Sequence, residues 1–291
     1  MLTLEVFMAS AFDISYAQNL IATLPSRPEE SHKGSFGRVL CICGSCGMAG
    51  AAYLSALAAY RTGAGLVEIF TPEENRVILQ TLIPEAIITT YHADSFSDYQ
   101  LMASIDKCDA IVVGCGLGKS HTALEILKTT LKYKKLPTVI DADALNLISE
   151  HKVLLKYAKG KIITPHIKEM SRLTDISVID IANNTEKISL EFSTQHSLTC
   201  VLKSHRTAVC DRGECVYLNT IGNSGMATGG AGDVLAGVIA SLLAQKHLAL
   251  SEFDAATLGV YLHAEAGDRA AEALGKSAVM ASDIANSIRF Q

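Results

Sequence analysis

Val39-Leu-Cys-Ile-Cys43 is five apolar residues in a row with no polar residue between them. A strand with one wet face alternates apolar and polar residues. An unbroken apolar stretch of this length suits a strand buried on both faces of a parallel sheet. Short β-type stretches recur at Leu66–Phe70, Ala86–Thr90, Ala110–Val113, Thr138–Ile140 and Lys161–Thr164. The helical segments between them are long enough to make crossovers, so the expected architecture is a three-layer α/β/α sandwich around a mostly parallel sheet.

The pattern changes after about residue 197. Thr199–Leu202, Thr207–Cys210 and Cys215–Leu218 follow closely on one another, and Asp211-Arg212-Gly213 supplies the turn between the last two. That spacing predicts a short antiparallel, hairpin-type edge on the sheet. A glycine-rich loop, Gly222–Gly232, comes next, then helices near 233–245, 252–269 and 282–289. No internal repeat, low-complexity tract or linker interrupts the 291 residues, which read as one domain, 1–291.

With 49% hydrophobic and 19% charged residues, the chain can build a large core. The net charge of −5 gives no electrostatic footprint for nucleic acid or an anionic membrane. The longest nearly apolar stretch, Val234–Ala244, falls well short of a membrane span of about 20 residues and reads as a buried helix. The amino terminus carries Glu5 and Asp13 and lacks a basic start, which argues against a signal peptide and for the cytoplasm. Of eight cysteines, most sit in or beside apolar runs and read as small hydrophobes. Cys43-Gly-Ser-Cys46 has redox spacing, with a turn that merely contains cysteines as the alternative; no second such pair exists to complete a zinc site.

The chemistry is concentrated in Asn223-Ser-Gly-Met-Ala-Thr-Gly-Gly-Ala-Gly-Asp233 and the helix after it. Glycines allow close approach to a ligand, and a helix start offers unpaired N–H groups and a positive dipole end, together an anion site suited to phosphate. No Gly-Lys-Ser/Thr follows, so this is not the usual P-loop. A carboxylate at such a place either caps the helix or serves as general base towards a hydroxyl that attacks the phosphate. Asp233 fits both descriptions.

Asn223–Gly237 resembles the signature of the NAD(P)H-hydrate dehydratases, members of the ribokinase-like superfamily. Further resemblances run in the same order along the chain: His32-Lys-Gly-Ser-Phe-Gly-Arg38, Cys43–Ala52, Pro84-Glu-Ala86, Gly114-Cys-Gly-Leu-Gly118, Asp141-Ala-Asp-Ala-Leu145, Thr164-Pro-His-Ile-Lys-Glu169 and Val201–Thr207. The resemblance implies a ribokinase-like α/β/α fold and a repair enzyme. It would dehydrate the S epimer of hydrated NADH or NADPH, with ADP or ATP as co-substrate and Mg²⁺ as cofactor. It implies that Ala51, Gly116 and His166 line the substrate site, with Asp233 as substrate contact and catalytic base. Lys203, Ser204, His205, Arg206, Thr207, Asn223, Gly230 and Gly232 would line the adenine nucleotide site, with no protein ligand to the metal specified. Ser204 departs from a usual glycine and Cys115 from a common proline. Asp141 and Asp143 either assist a metal-bound phosphate through water or cap the next helix, and His263 reads as structural. A homo-oligomer is expected. So is a separate epimerase partner, since only about 30 residues precede the first motif. The rival reading is a ribokinase-like small-molecule kinase acting on a vitamin precursor or sugar hydroxyl; a nucleotide sensor without catalysis is a more distant one.

Overall fold

The computed structural model describes residues 10–133, 136–213 and 215–290. Glu5, on which the reading against a signal peptide partly rests, lies outside them. The chain runs β1 (Ser10–Phe12), α1 (Ile14–Thr23), β2 (Arg38–Ile42), α2 (Ala49–Arg61), β3 (Leu66–Pro72), α3 (Arg76–Leu82), β4 (Ile87–Tyr91), α4 (Asp98–Ile105), β5 (Ala110–Val113), α5 (His121–Lys132) and β6 (Thr138–Ile140). It continues through α6 (Asp143–Glu150), β7 (Ile162–Ile163), α7 (Ile167–Thr174), α8 (Val178–Asn183), α9 (Thr185–His196), β8 (Thr199–Leu202), β9 (Ala208–Asp211), β10 (Cys215–Leu218), α10 (Ala231–Ala244), α11 (Glu252–Leu274) and α12 (Ala281–Asn286).

All ten strands form one sheet in the order β1-β10-β9-β8-β7-β6-β5-β2-β3-β4. Pairs from β8 across to β4 are parallel, as the unbroken apolar strands predict. β9 runs against both its neighbours, which supplies the expected antiparallel element. That element is not the outer edge: β1, which no sequence signal announced, pairs parallel with β10 and closes the sheet. Alternate residues of each strand point into two cores. Val39, Cys41, Ala110 and Val112 face α1, α2 and α10–α12, whereas Leu40, Ile42, Ile111 and Val113 face α4–α9. The result is the three-layer sandwich. Val234–Ala244 belongs to α10 and is almost entirely buried, so the apolar stretch is a core helix. No helix among the described residues is long and apolar enough to cross a membrane.

Strand order decides where a ligand can sit. From β2 the chain steps outward through β3 and β4, then returns to place β5 on β2's other side. At such a switch point the loops leaving the two carboxyl ends diverge and open a crevice. The loops after β2 and β5 are Cys43–Gly47 and Gly114–Gly118. They meet there, with the Gly44 N–H donating to the Cys115 carbonyl at 2.8 Å.

Candidate active site

Five segments converge on this crevice. The loop after β5 is held by Asp143, the first residue of α6, whose Oδ2 accepts the Gly118 N–H at 2.8 Å. Asp143 therefore clasps the loop. The preceding residue, Ala142, has φ 48° and ψ −118°, a conformation rarely tolerated outside glycine, and it carries no side-chain cap. Strain of this kind persists only where the surroundings impose it. Here it sets Asp141 against Lys203 and Asp143 against the Gly118 N–H. Gly116 (φ 61°) has no room for a side chain: a Cβ there would lie 2.8 Å from that of Ala51 on α2. Ala51 and Gly116, expected to share a site, are thus neighbours.

At the ends of β7 and β8, His166 and Lys203 form a parallel bridge, and the Lys203 N–H donates to the Pro165 carbonyl at 2.8 Å. His166 caps α7. Its Nδ1 accepts the backbone N–H groups of Lys168 and Glu169 at 3.0 and 3.2 Å, while Glu169 Oε2 accepts the His166 N–H. Burial, reinforced by Lys203 and Arg172, lowers its pKa and keeps the ring neutral at physiological pH. With Nδ1 used as an acceptor, the ring proton sits on Nε2, which faces Glu169 at 3.4 Å on a side chain 47% exposed. The structural and functional readings of His166 are therefore compatible: one nitrogen caps, and the other is a donor beside Glu169 on a part-exposed ring.

Lys203 reaches across to Asp141, Nζ to Oδ1 at 2.7 Å, with Asp141 only 1% exposed. Burial disfavours the Lys203 ammonium, but Asp141 and Glu169 outweigh it and its pKa is raised. The charge expected to meet a phosphate is thus shared with a fixed carboxylate. Beyond it, Ser204 to Thr207 form a tight turn in which the Ser204 hydroxyl donates to the Arg206 carbonyl at 2.7 Å and accepts its N–H. The Ser204 side chain is turned into its own loop, while His205 and Arg206 are exposed.

The glycine-rich loop closes the site from above. Asn223 anchors it, donating from Nδ2 to the Gly267 carbonyl and to Asp268 on α11 and accepting the Gly225 N–H. Gly230 is the residue preceding α10, with φ 92°, and a Cβ there would sit 2.4 Å from Leu54. The helix begins at Ala231, two residues earlier than its sequence suggests, and that settles one alternative. Asp233 is inside the first turn and Gly230 occupies the cap, so Asp233 is not an N-cap. The space beside Gly229 is open, and Gly232 lies against Lys203, whose Nζ would be 3.1 Å from a Cβ there.

Asp233 then meets Asp141 and Cys115 in one cluster, with one carboxylate oxygen of each aspartate and the Sγ within 4.8 Å of one another. Burial, then the charge of Asp141, push its pKa up to about 6, while Cys115 and Lys203 act in the opposite direction. A base poised just below neutral pH beside a helix N-terminus can accept a proton from an alcohol. The donor set suits Mg²⁺ carried on phosphate oxygens and water. A thiol is a poor ligand for so hard an ion, and Lys203 already takes one oxygen of Asp141. Asp141 would then steady the ion's water shell.

Two cysteine expectations resolve differently. Cys43 and Cys46 form no disulfide, the first being buried and the second exposed. Cys115, where sequence comparison saw only a replaced proline, touches the base. His263 is buried at the first turn of α10, where the Ala231 backbone accepts from its ring. A separate polar cavity of about 620 Å³ opens beside β4, lined by Glu73, Arg76, His92 and Tyr99, and contains none of the expected site residues.

A mostly parallel sheet with a crevice at its switch point, a glycine-bared helix start and a partly buried carboxylate define the class: a ribokinase-like α/β protein whose crevice suits an anion. The sequence pattern of NAD(P)H-hydrate dehydratases matches residues 39–289, and the chain belongs to that family. It is 36% identical to the ADP-dependent (S)-NAD(P)H-hydrate dehydratase of Neisseria meningitidis, over 91% of this chain and 88% of that protein. It is 39% identical to a bifunctional NAD(P)H-hydrate repair enzyme of Coxiella burnetii, over 90% of this chain but 51% of that one. The chain thus spans about half the length of the bifunctional relatives it matches. The crystal structure of the Bacillus subtilis ADP/ATP-dependent NAD(P)H-hydrate dehydratase, co-crystallised with ATP/Mg²⁺, superposes with a TM-score of 0.79 at 27% identity, covering 94% of each chain.

Proposed function

We propose that this protein is a nicotinamide nucleotide repair enzyme, a single-domain carbon–oxygen lyase that returns the S epimer of hydrated NADH or NADPH to the dinucleotide at the expense of ADP or ATP. The observation that carries the reading is the placement of Asp233. It is partly buried in the first turn of α10, with a carboxylate oxygen within 4.8 Å of one of Asp141's, and beside glycines that leave room for a polyphosphate.

Hydration leaves a hydroxyl on nicotinamide C6, and hydroxide is a poor leaving group. Asp233 takes the hydroxyl proton as the oxygen attacks the terminal phosphorus, and the bond from that phosphorus to the bridging oxygen breaks. The nucleotide leaves as AMP from ADP, the first choice of donor, or as ADP from ATP. The N–H groups of the glycine loop and Lys203 stabilise the charge on the transferred oxygens. Mg²⁺ on the polyphosphate would neutralise charge there. The ring nitrogen lone pair then expels phosphate from C6, and loss of a C5 proton restores the double bond. No electron changes hands with an external reductant. His166 Nε2–H, Ala51 and Gly116 would line the nicotinamide side, while Ser204–Thr207, Asn223, Gly230 and Gly232 would shape the nucleotide side.

The same reading extends to a cytoplasmic homo-oligomer working beside an epimerase that supplies the reactive epimer; the bifunctional character of several relatives supports that pairing. The test is to incubate the protein with hydrated NADH, Mg²⁺ and either ADP or ATP. Recovery of dihydronicotinamide absorbance with stoichiometric phosphate is expected. A stable phosphorylated alcohol with no phosphate released would overturn the reading in favour of a small-molecule kinase.

A further inference from the structure

Cys115 has no exposed surface, yet its backbone is fixed from both sides. The Gly44 N–H donates to its carbonyl at 2.8 Å, the Leu117 N–H donates to the Gly114 carbonyl at 3.1 Å, and Asp143 holds Gly118. At Gly114 (φ 121°) the loop passes so close to β6 that a Cβ would lie 1.9 Å from the Asp141 carbonyl. A loop held this way gives the Cys115 side chain a single direction, and its Sγ ends within 4.8 Å of one carboxylate oxygen each of Asp233 and Asp141.

We propose that Cys115 is a positioning residue for the dehydration: its thiol donates a hydrogen bond to one oxygen of the Asp233 carboxylate and leaves the other for the substrate hydroxyl. This rests on the function proposed above. A proline at this position would have no donor to offer. The groups facing Asp233 are Asp141 and Asp143 from the β6–α6 turn, Lys203 from the end of β8 and Cys115 itself, with Cys43 behind Cys115. The two aspartates oppose ionisation of the base, and Lys203 and the thiol favour it. The thiol stays protonated throughout the working range because a hydrogen bond with Cys43, then burial, hold its own pKa well above the ordinary value.

Cys115→Ala removes the donor and Cys115→Ser retains one. We expect the acid limb of the kcat/KM profile of Cys115→Ala to move up by about half a pH unit, a deficit of about three-fold at pH 5 that shrinks as pH rises, with KM for the nucleotide unmoved. Cys115→Ser should restore the limb. An Ala profile that coincides with the parent's, or a Ser variant displaced as far as Ala, overturns the proposal. If the parent protein does not consume hydrated NADH at all, the function above fails and the proposal is read directly instead. Infrared titration of the Asp233 carboxyl in the resting protein, with Asp233→Asn as the blank, should show the same upward displacement in Cys115→Ala, and superimposed curves would refute it.

Discussion

Asp233→Asn should make the protein inactive and more stable at once. The carboxyl sits at about 6 in the folded chain against an ordinary 3.8, because burial and Asp141 both disfavour its charge. A carboxyl whose folded pKa is raised binds its proton more tightly in the native state than in the unfolded one. Stability is therefore undiminished below the unfolded value, falls as pH rises between the two, and stays reduced above the folded value. A displacement of roughly two units corresponds to about 3 kcal/mol at neutral pH, an upper figure because the site retains some contact with water. Asparagine keeps the shape, can still accept from Cys115, and carries no charge to desolvate. For a chain of this size each kcal/mol is worth about 1.5 °C in Tm, so the variant should melt up to about 5 °C higher at pH 8, with the gain gone by pH 3.5. Turnover should drop by roughly 10²-fold or more while nucleotide binding is largely kept. Paired thermal melts across pH, with single-turnover phosphate release, make the test. A variant that melts no higher than the parent at pH 8, or whose gain is the same at every pH, would show that the Asp233 carboxyl is not held above its ordinary pKa. Retained turnover would remove it from its catalytic role.

Further outcomes follow from other contacts. In the parent protein kcat/KM for the proposed reaction should fall with unit slope as pH drops through about 6, since Asp233 must be ionised to act; a limb near 4 would contradict the desolvation of that carboxyl. Lys203→Met strands the buried Asp141 and should cost about 3–5 kcal/mol by chemical denaturation, much of it recovered in the double variant Lys203→Met/Asp141→Leu. His166→Ala should lose about 1 kcal/mol from the uncapped α7 and also raise KM for the hydrated dinucleotide, whereas His166→Asn should recover the stability but not the KM. Gly237→Val places a Cβ 2.2 Å from the Ser55 carbonyl where α10 crosses α2, and a loss of about 1–3 kcal/mol in unfolding experiments is expected.

The sequence carried the parallel sheet because burial on both faces leaves an unbroken apolar signature, and β2, β5 and β6 stand where that signature puts them. It carried Asn223–Asp233 because glycines and an acid before an apolar helix have few structural uses. It could not announce β1, a three-residue strand with no pattern of its own, held by the β10 edge it covers and by Phe12 packing on Tyr16 and Phe253. Nor could it choose between cap and base for Asp233, because a shift of two residues in a helix start changes the answer and local propensity does not fix starts that finely. The pairing of Lys203 with Asp141 joins residues 62 apart, and the approach of Cys115 to Asp233 joins loops from β5 and α10. Those contacts exist only once the switch in strand order brings five segments to one end of the sheet. Residue chemistry set which groups could act, through their type and their neighbours along the chain. Which of them meet, and with what pKa, depends on burial and on distances between remote segments, and only the folded sheet fixes those.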